Sequence, residues 1–286
     1  MAKRKLTEQE LFKVNAERQM IVAKSNTMIQ KGRHDLSVQE QRAVLYAISK
    51  IKPTDDIFQE YQLDLKDFYN VCGIEKDTYT ELKNMLLKLK SKCWWMQMPD
   101  GETESAVSWF DVVRTNKKTG KVTIGFHRDM MPYLLHLVGS DSFYTQYNLE
   151  MILPMKSQYS PRLYELLKSY QKNNKEWFFD IDDLKHSLSC QNYTRFPDFR
   201  RYVLEPAVEE INKYTDINIA YDTEKQGRRV ARVIFYMANK GKKALIQAKI
   251  NRSDELDGRE AFDERLEKAL DPNSVRNRFF AENKEE

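Results

Sequence analysis

The chain has 286 residues, 41% hydrophobic and 12% aromatic, which is enough to fill two small cores and too apolar for a disordered protein. Its 47 basic and 43 acidic side chains leave a net charge of +4, so overall charge does not demand a polyanionic partner, and any such reading must come from local clustering. Cys72, Cys93 and Cys190 are odd in number and show no C-x-x-C pairing, which argues against a disulfide framework or a zinc site and for a reducing cytoplasm. The charged start MAKRKLTEQE lacks the apolar stretch of a secretory leader, and no apolar run approaches the ~18 residues needed to span a bilayer.

Residues 1–35 read as a polar, mostly helical arm with a weak apolar stripe at Leu11, Val14 and Ile21. Its Lys3-Arg4-Lys5 cluster suits either a phosphate-contacting tail or a solvated end. Ser37-Val-Gln-Glu40 has the spacing of a capping box, and the helix it opens carries Val44, Ala47, Ile48 and Ile51 at helical spacing before Pro53. Tyr61–Leu65 predicts a strand running into a helix capped by Asp64 and ended by Gly73. A third helix, over roughly Thr78–Lys92, places Leu82, Met85, Leu86 and Leu89 on one face and points Thr80, Lys83 and Asn84 away from it. Strands are expected at Cys93–Met98, Ala106–Arg114 and Lys121–Phe126, the last two joined by the turn Asn116-Lys-Lys-Thr-Gly120. On the first of these strands the adjacent Trp94 and Trp95 point to opposite sides, so one enters the core. The other needs a cover, either within the chain or from a second subunit. His127–Val138 reads as a short helix or turn interrupted by Pro132, and Tyr144–Met155 as a strand-like connection.

The pattern then recurs. Ser160-Pro161 has the form of an N-cap with proline at N1, and Leu163, Leu166, Leu167 and Tyr170 form the stripe of the next helix. Trp177–Ile181 predicts a strand meeting a helix opened by Asp180, followed by a polar turn at Ser189–Thr194 and a longer helix. Pro206 should kink or break that helix, because it lacks an N–H and crowds the carbonyl of Tyr202. Phe196, Phe199 and Val203 face inward before the break, and Ala207, Val208, Ile211 and Tyr214 after it. Arg201 points outward, while the exposure of Arg200 depends on where the helix starts. Two strands then flank the basic turn Lys225-Gln-Gly-Arg-Arg229. Strand, helix, turn, helix, strand, basic turn, strand is the order of a winged helix. Leu45-Tyr46 aligns with Leu163-Tyr164, Leu63–Phe68 with Phe179–Leu184, and Gly120 with Gly227. The expected fold is therefore α+β, two tandem winged-helix domains related by a pseudo-repeat. Its expected parts are an arm (1–35), a first domain (36–155), a second domain that is the main DNA reader (156–240) and a charged, partly disordered tail (241–286). The tail holds a short amphipathic stretch at Phe262–Leu270 and ends in Ala281–Glu286.

Enzyme signatures are weak. The Gly-Lys pairs at Gly120 and Gly241 lack the upstream glycine of a phosphate-binding loop. His34, His127, His136 and His186 are scattered, so the closely spaced metal ligands of a nicking enzyme are absent. Asp180, Asp182 and Asp183 fit a helix start better than a metal cluster. No catalytic residue, metal or cofactor is assigned. A DNA-binding reading fares better. Asn192, Thr194, Arg195, Arg200 and Arg201 fall within one short span at the front of the second long helix, where arginine can pair with guanine and asparagine with adenine. Lys225, Arg228 and Arg229 lie on the second wing, and Lys117, Lys118 and Lys121 on the first, where phosphate contacts are expected. Lys76, just before the third helix of the first domain, and Thr80, Lys83 and Asn84 on it are the corresponding candidates. A solvated basic surface is the competing interpretation for either motif alone, and two repeats with basic wings favour nucleic acid.

The stretches SNTMIQKGRHDLSVQEQRAVLYAISKI (Ser25–Ile51), SPRLYELLKSY (Ser160–Tyr170) and FRRYVLEPAVEEINKYTDINIAYDTEKQGRRVARVIFYM (Phe199–Met237) closely resemble the initiator replication proteins of theta-replicating bacterial plasmids. The resemblance covers about residues 20–240, and its most specific piece is LEPAVEEINKYTDI with the basic turn after it. It implies a two-winged-helix fold, binding to repeated double-stranded origin sequences (iterons) and no catalytic site. It also implies monomers that initiate, dimers that repress the initiator's own gene through the first domain, and contacts with host replication proteins. A tandem winged-helix repressor and a metal-dependent nicking enzyme are the competing functions.

Overall fold

The computed structural model describes residues 13–14, 16–52, 55–72, 79–137, 143–171 and 174–257. Gly73, Lys76, the Lys3–Lys5 cluster, Phe262–Leu270 and Ala281–Glu286 lie outside the described residues. Residues 13–14 and 16–18 are helical, as expected of the arm, but the arm then enters strand β1 (Ile21–Ser25), which the sequence did not suggest. Ile21 and Val22 are β-branched, and the strand pairs antiparallel along its length with β7 (Tyr144–Asn148), itself rich in tyrosine and threonine. Helix α1 (Asn26–Lys31) follows, capped by the Ser25 hydroxyl.

The first winged helix opens with α2 (Val38–Ile48). Its capping box forms as expected: Ser37 Oγ accepts from Glu40 N, and Glu40 Oε2 accepts from Ser37 N at 2.8 Å. Next come β2 (Tyr61–Asp64) and α3 (Leu65–Cys72), where Asp64 Oδ1 accepts from Lys66 N at 2.9 Å, and then α4 (Tyr79–Ser91). The expected strand Ala106–Arg114 is two strands in different sheets. Strand β3 (Cys93–Gln97) pairs with β4 (Glu104–Ser108), whereas β5 (Phe110–Asn116) pairs with β6 (Lys121–Phe126). The break falls at Trp109, whose ring is buried against Trp94 with centroids 4.8 Å apart. Trp94 enters the core, and Trp95 stays 65% exposed, so no described part of the chain covers it. A 3-10 turn (Arg128–Met130) leads into α5 (Met131–Leu134), which carries Pro132 in its first turn. After β7 the chain makes a further 3-10 turn (Leu149–Met151) rather than continuing as a strand.

The second winged helix repeats the plan with α6 (Ser160–Gln171), β8 (Glu176–Asp180), α7 (Ile181–Ser187), α8 (Phe196–Phe199), α9 (Glu205–Tyr214), β9 (Ile217–Gln226) and β10 (Arg229–Asn239). Both three-stranded sheets have one topology, β2-β6-β5 and β8-β10-β9, and in each the strand before the helix pair joins the far arm of the wing. The matched tyrosines Tyr46 and Tyr164 are both fully buried.

Two expected caps do not form. Ser160 is the first residue of α6, its hydroxyl buried and without a hydrogen-bond partner among the described residues. Asp180 holds the N-cap position of α7 but makes no cap bond; its carboxylate accepts from Arg232 Nε at 2.8 Å, because β8 and β10 set these residues directly opposite each other. The break at Pro206 takes the form of a π turn, Arg200–Leu204, between α8 and α9, closed by Glu205 N donating to Arg200 O. The wider turn accommodates the missing donor of Pro206 without ending the helix.

The two units meet across a buried polar seam. Lys24 Nζ lies 2.5 Å from Glu165, both buried, and Glu165 also accepts from the Tyr147 hydroxyl. Arg162 donates to Gly32 O at 2.6 Å and Ser187 O at 3.2 Å. Burial pushes the Lys24 ammonium down, against the pull of Glu165, and brings Arg162 down to about 10. The tail begins as an ordered helix, α10 (Lys242–Asp257), which docks through Ala248, Arg252 and Leu256. Arg252 joins Glu150 at 2.8 Å and Tyr214 O at 2.6 Å, and Asp257 joins Arg18 at 2.8 Å, so this helix ties both units together.

Candidate nucleic-acid interface

The edge of the second unit that carries the candidate base-contacting residues is set by a tight turn. After α7, Ser189 adopts a left-handed conformation (φ 54°), and its hydroxyl donates to His34 O at 3.3 Å, fixing the turn against the first unit. Cys190 N then donates to Lys185 O at 2.9 Å, and its side chain fills the core behind the turn. Burial pushes the Cys190 thiol up to about 12, so it packs and does not react. With Cys190 anchored, Gln191, Asn192, Thr194 and Arg195 face solvent. Gln191 and Thr194, with Asp182, Asp183, Lys185 and His186, line an open polar depression in front of the helix pair. Arg195 occupies the N-cap of α8 with its side chain free of a cap bond and 3.8 Å from Asp198.

Inside the helix, Phe199, Val203, Leu204, Ala207, Ile211 and Tyr214 are buried, holding it on the sheet. Arg200 and Arg201 are both exposed, but their surroundings differ. Arg200 Nε is held by Glu205 at 2.8 Å, which partly neutralises it. The guanidinium of Arg201 lies 5.3 Å from the ring of Tyr202 and has no ion-pair partner among the described residues. Tyr202 is 51% exposed beside it, a large amphipathic ring on the same side as Arg201 that the sequence had not marked. Gln191 was missed as well: its amide is held 2.8 Å from His186 Nδ1, across a spacing that only the turn brings together.

The wings present free cations at their tips. In the first, Asn116 Oδ1 accepts from Lys118 N and Thr119 N at 3.0 and 3.2 Å, and Gly120 (φ 63°) completes the turn, leaving Lys117, Lys118 and Lys121 exposed. In the second, Gln226 pairs with Arg229 across a turn whose Gly227 has φ 64°, a conformation that strains any residue with a Cβ. Lys225, Arg228 and Arg229 project from it. None of these six pairs with a carboxylate among the described residues, whereas cations farther back do: Arg114 with Glu60 at 2.6 Å and Arg232 with Asp180. Charge that can meet a phosphate is thus concentrated at the tips. On α4, Thr80, Lys83 and Asn84 are exposed on the side away from the core; Lys76 lies outside the described residues.

Two units, each with a helix pair and a sheet that ends in a basic wing, define a tandem winged-helix protein. Residues 21–168 match the family model described as "Initiator Replication protein, WH1" and residues 180–237 the one described as "Initiator Rep protein, WH2". The chain belongs to this family of DNA-binding initiator replication proteins. It is 31% identical to the PI protein of Escherichia coli over 131 residues, 41% of this chain and 43% of that protein, so the match spans less than half of the relative's length. It is 24% identical over 229 residues to a replication initiation protein of Escherichia coli, covering 76% of this chain and 69% of that one. Its fold is similar to that of the Pi initiator protein solved in complex with iteron DNA, with a TM-score of 0.64 and 21% identity over 78% of this chain and 98% of that one. No helix among the described residues is long and apolar enough to cross a membrane.

Proposed function

We propose that this chain initiates plasmid replication by binding repeated sequences (iterons) in double-stranded origin DNA, with the second winged helix reading bases and both wings clamping the backbone. The observation that carries this is the pair of wings: six exposed cations without carboxylate partners among the described residues, on two units of one topology in one chain. The relatives named as replication initiators and the likeness to an initiator crystallised with iteron DNA support it. In this reading Asn192, Thr194, Arg195, Arg200 and Arg201 enter the major groove, joined by Tyr202, while Thr80, Lys83 and Asn84 face the adjoining stretch of duplex. The protein acts in the cytoplasm by binding, with no catalytic residue and no cofactor, and opens the origin for host replication proteins. A homodimer formed through the exposed Trp95 face of the first unit would bind an inverted repeat and repress the protein's own gene.

The test has two parts. Footprinting on the DNA flanking the coding region should protect direct repeats, and a plasmid carrying that DNA should be maintained only when the protein is supplied. Protection of a single inverted repeat without support of replication would favour a tandem winged-helix repressor. Metal-dependent cleavage of supercoiled origin DNA would favour a nicking enzyme.

A further inference from the structure

Two surfaces have no part in that reading, one on the second unit and one on the helix that follows it. Behind the wing tip, no described residue covers the outer face of the β8-β10-β9 sheet. Phe178 and its cross-strand neighbour Ile234 form an apolar ridge that Tyr236 extends, with Phe178 50% exposed. Glu176, Asp180, Asp222 and Glu224 lie around the ridge, all exposed. The guanidinium of Arg232 sits 4.8 Å from the Phe178 ring and is shared between Asp180 at 2.8 Å and Glu224 at 3.6 Å. The face is acidic with an apolar centre, so a phosphate backbone is repelled from it. It suits a partner that surrounds an apolar patch with cations.

The second surface is the start of α10. Lys242, Leu245, Ile246 and Lys249 recur at i, i+3, i+4 and i+7 and share one side of the helix. All four are exposed, Ile246 at 63%, whereas the buried residues of the helix are Ala248, Arg252 and Leu256. Here cations surround an apolar centre, the inverse of the sheet face. Neither surface is matched to itself, so neither pairs with its own copy across a two-fold axis, whereas a head-to-tail contact can join the two.

We propose that these surfaces join neighbouring copies of the chain on tandem DNA repeats, the start of α10 of one copy docking on the acidic sheet face of the next. The proposal rests on the iteron reading, because direct repeats set every copy in the same orientation. Such a heterologous contact does not close and propagates for as many repeats as the DNA offers. It makes filling of an array cooperative while leaving a lone site unaffected.

The experiment uses the full chain and duplexes carrying one or two copies of the footprinted repeat. Wild type should bind the second repeat roughly 10-fold more tightly than the first. Lys242→Glu with Lys249→Glu, and separately Glu176→Lys with Asp222→Lys, should reduce this factor to about one at unchanged single-repeat affinity; Ile246→Ser should do the same without altering charge. The chain carrying all four charge reversals should recover the cooperativity, since its two faces are again complementary. Independent binding by wild type, or no recovery in the fourfold variant, overturns the proposal. A loss of single-repeat affinity in the lysine variant, with its melting temperature unchanged, assigns those lysines to DNA and likewise overturns it. Failure of wild type to select the single repeat would instead overturn the iteron reading.

Discussion

Replacing Arg201 with alanine separates reading from folding. The side chain is exposed, and its contact among the described residues is the ring of Tyr202, 5.3 Å away. An exposed cation–π contact is worth about 0.5–1 kcal/mol, so the fold should lose no more than this. The cost in binding should be larger. An arginine with two hydrogen bonds to guanine contributes about 1–3 kcal/mol of discrimination, which is roughly 5- to 150-fold in Kd. Arg200 supplies an internal comparison. It must leave Glu205, 2.8 Å away, before it can contact DNA, and breaking such an exposed pair costs about 0–1 kcal/mol. Arg200→Ala should therefore lose less than Arg201→Ala. Fluorescence anisotropy against duplexes with each base pair changed in turn measures both quantities, and a thermal melt checks the fold. Arg201→Ala should bind more weakly and relax selectivity at one or two base pairs. If it binds its site as tightly and as selectively as wild type, this helix does not read the bases.

Neutralising any one of Lys117, Lys118, Lys121, Lys225, Arg228 or Arg229 should weaken binding across sequences and shrink the slope of log K against log salt by about one unit, as measured by titration at several salt concentrations. An unchanged slope for all six removes the wings from the interface. Glu165→Gln leaves the buried cations Lys24 and Arg162 without their counter-charge and should cost about 3–5 kcal/mol in urea unfolding. Lys240 is buried, donates to Asn212 O and Thr215 O, and is held down to about 8 by burial and by Arg252. Between pH 8 and about 10.4 the unfolded chain keeps a proton that the folded chain has shed, so stability should rise with pH across this window, by at most about 1.4 kcal/mol per unit. Lys240→Met should flatten that rise. Trp95→Ala should lower self-association in sedimentation run at several concentrations. Trp94→Ala should instead cost the fold about 3–5 kcal/mol, because its ring packs on Trp109. A wild type that stays monomeric throughout, or that dimerises equally well without Trp95, removes this strand as the contact.

Elements whose signals are local could be recognised before the structure. The capping box at Ser37, the Asp64 start of α3, the glycines of both wings and the inward stripe of the second long helix all act through neighbours within a few residues. Strand β1 escaped notice because Lys24 is buried, and what makes that burial tolerable is Glu165, far along the chain. The division of Ala106–Arg114 between two sheets follows from the burial of Trp109 against Trp94, a tertiary choice that the alternation of the strand does not encode. Helix α10 hid for a related reason. It docks through Arg252, whose partners Glu150 and Tyr214 O lie on other elements, so its buried side does not look apolar.

The proposed reading face illustrates a finer limit, set by phase. Sequence spacing placed Arg201 outward and left Arg200 at the edge of the stripe, on the assumption of α geometry up to a break at Pro206. The chain avoids the break by spending an extra residue in the π turn Arg200–Leu204. That residue lets Val203 and Leu204 both reach the core, while Arg200, Arg201 and Tyr202 all remain on the outside. The proline that looked like an interruption thus goes with a broader outward surface: two guanidinium groups and a tyrosine ring in succession, where a regular helix would turn one of them inward. Arg200 is then set apart from Arg201 by the carboxylate of Glu205, one residue before the proline, and not by burial. Selectivity at this edge should accordingly depend on the pairing of Arg200 as much as on the number of arginines exposed.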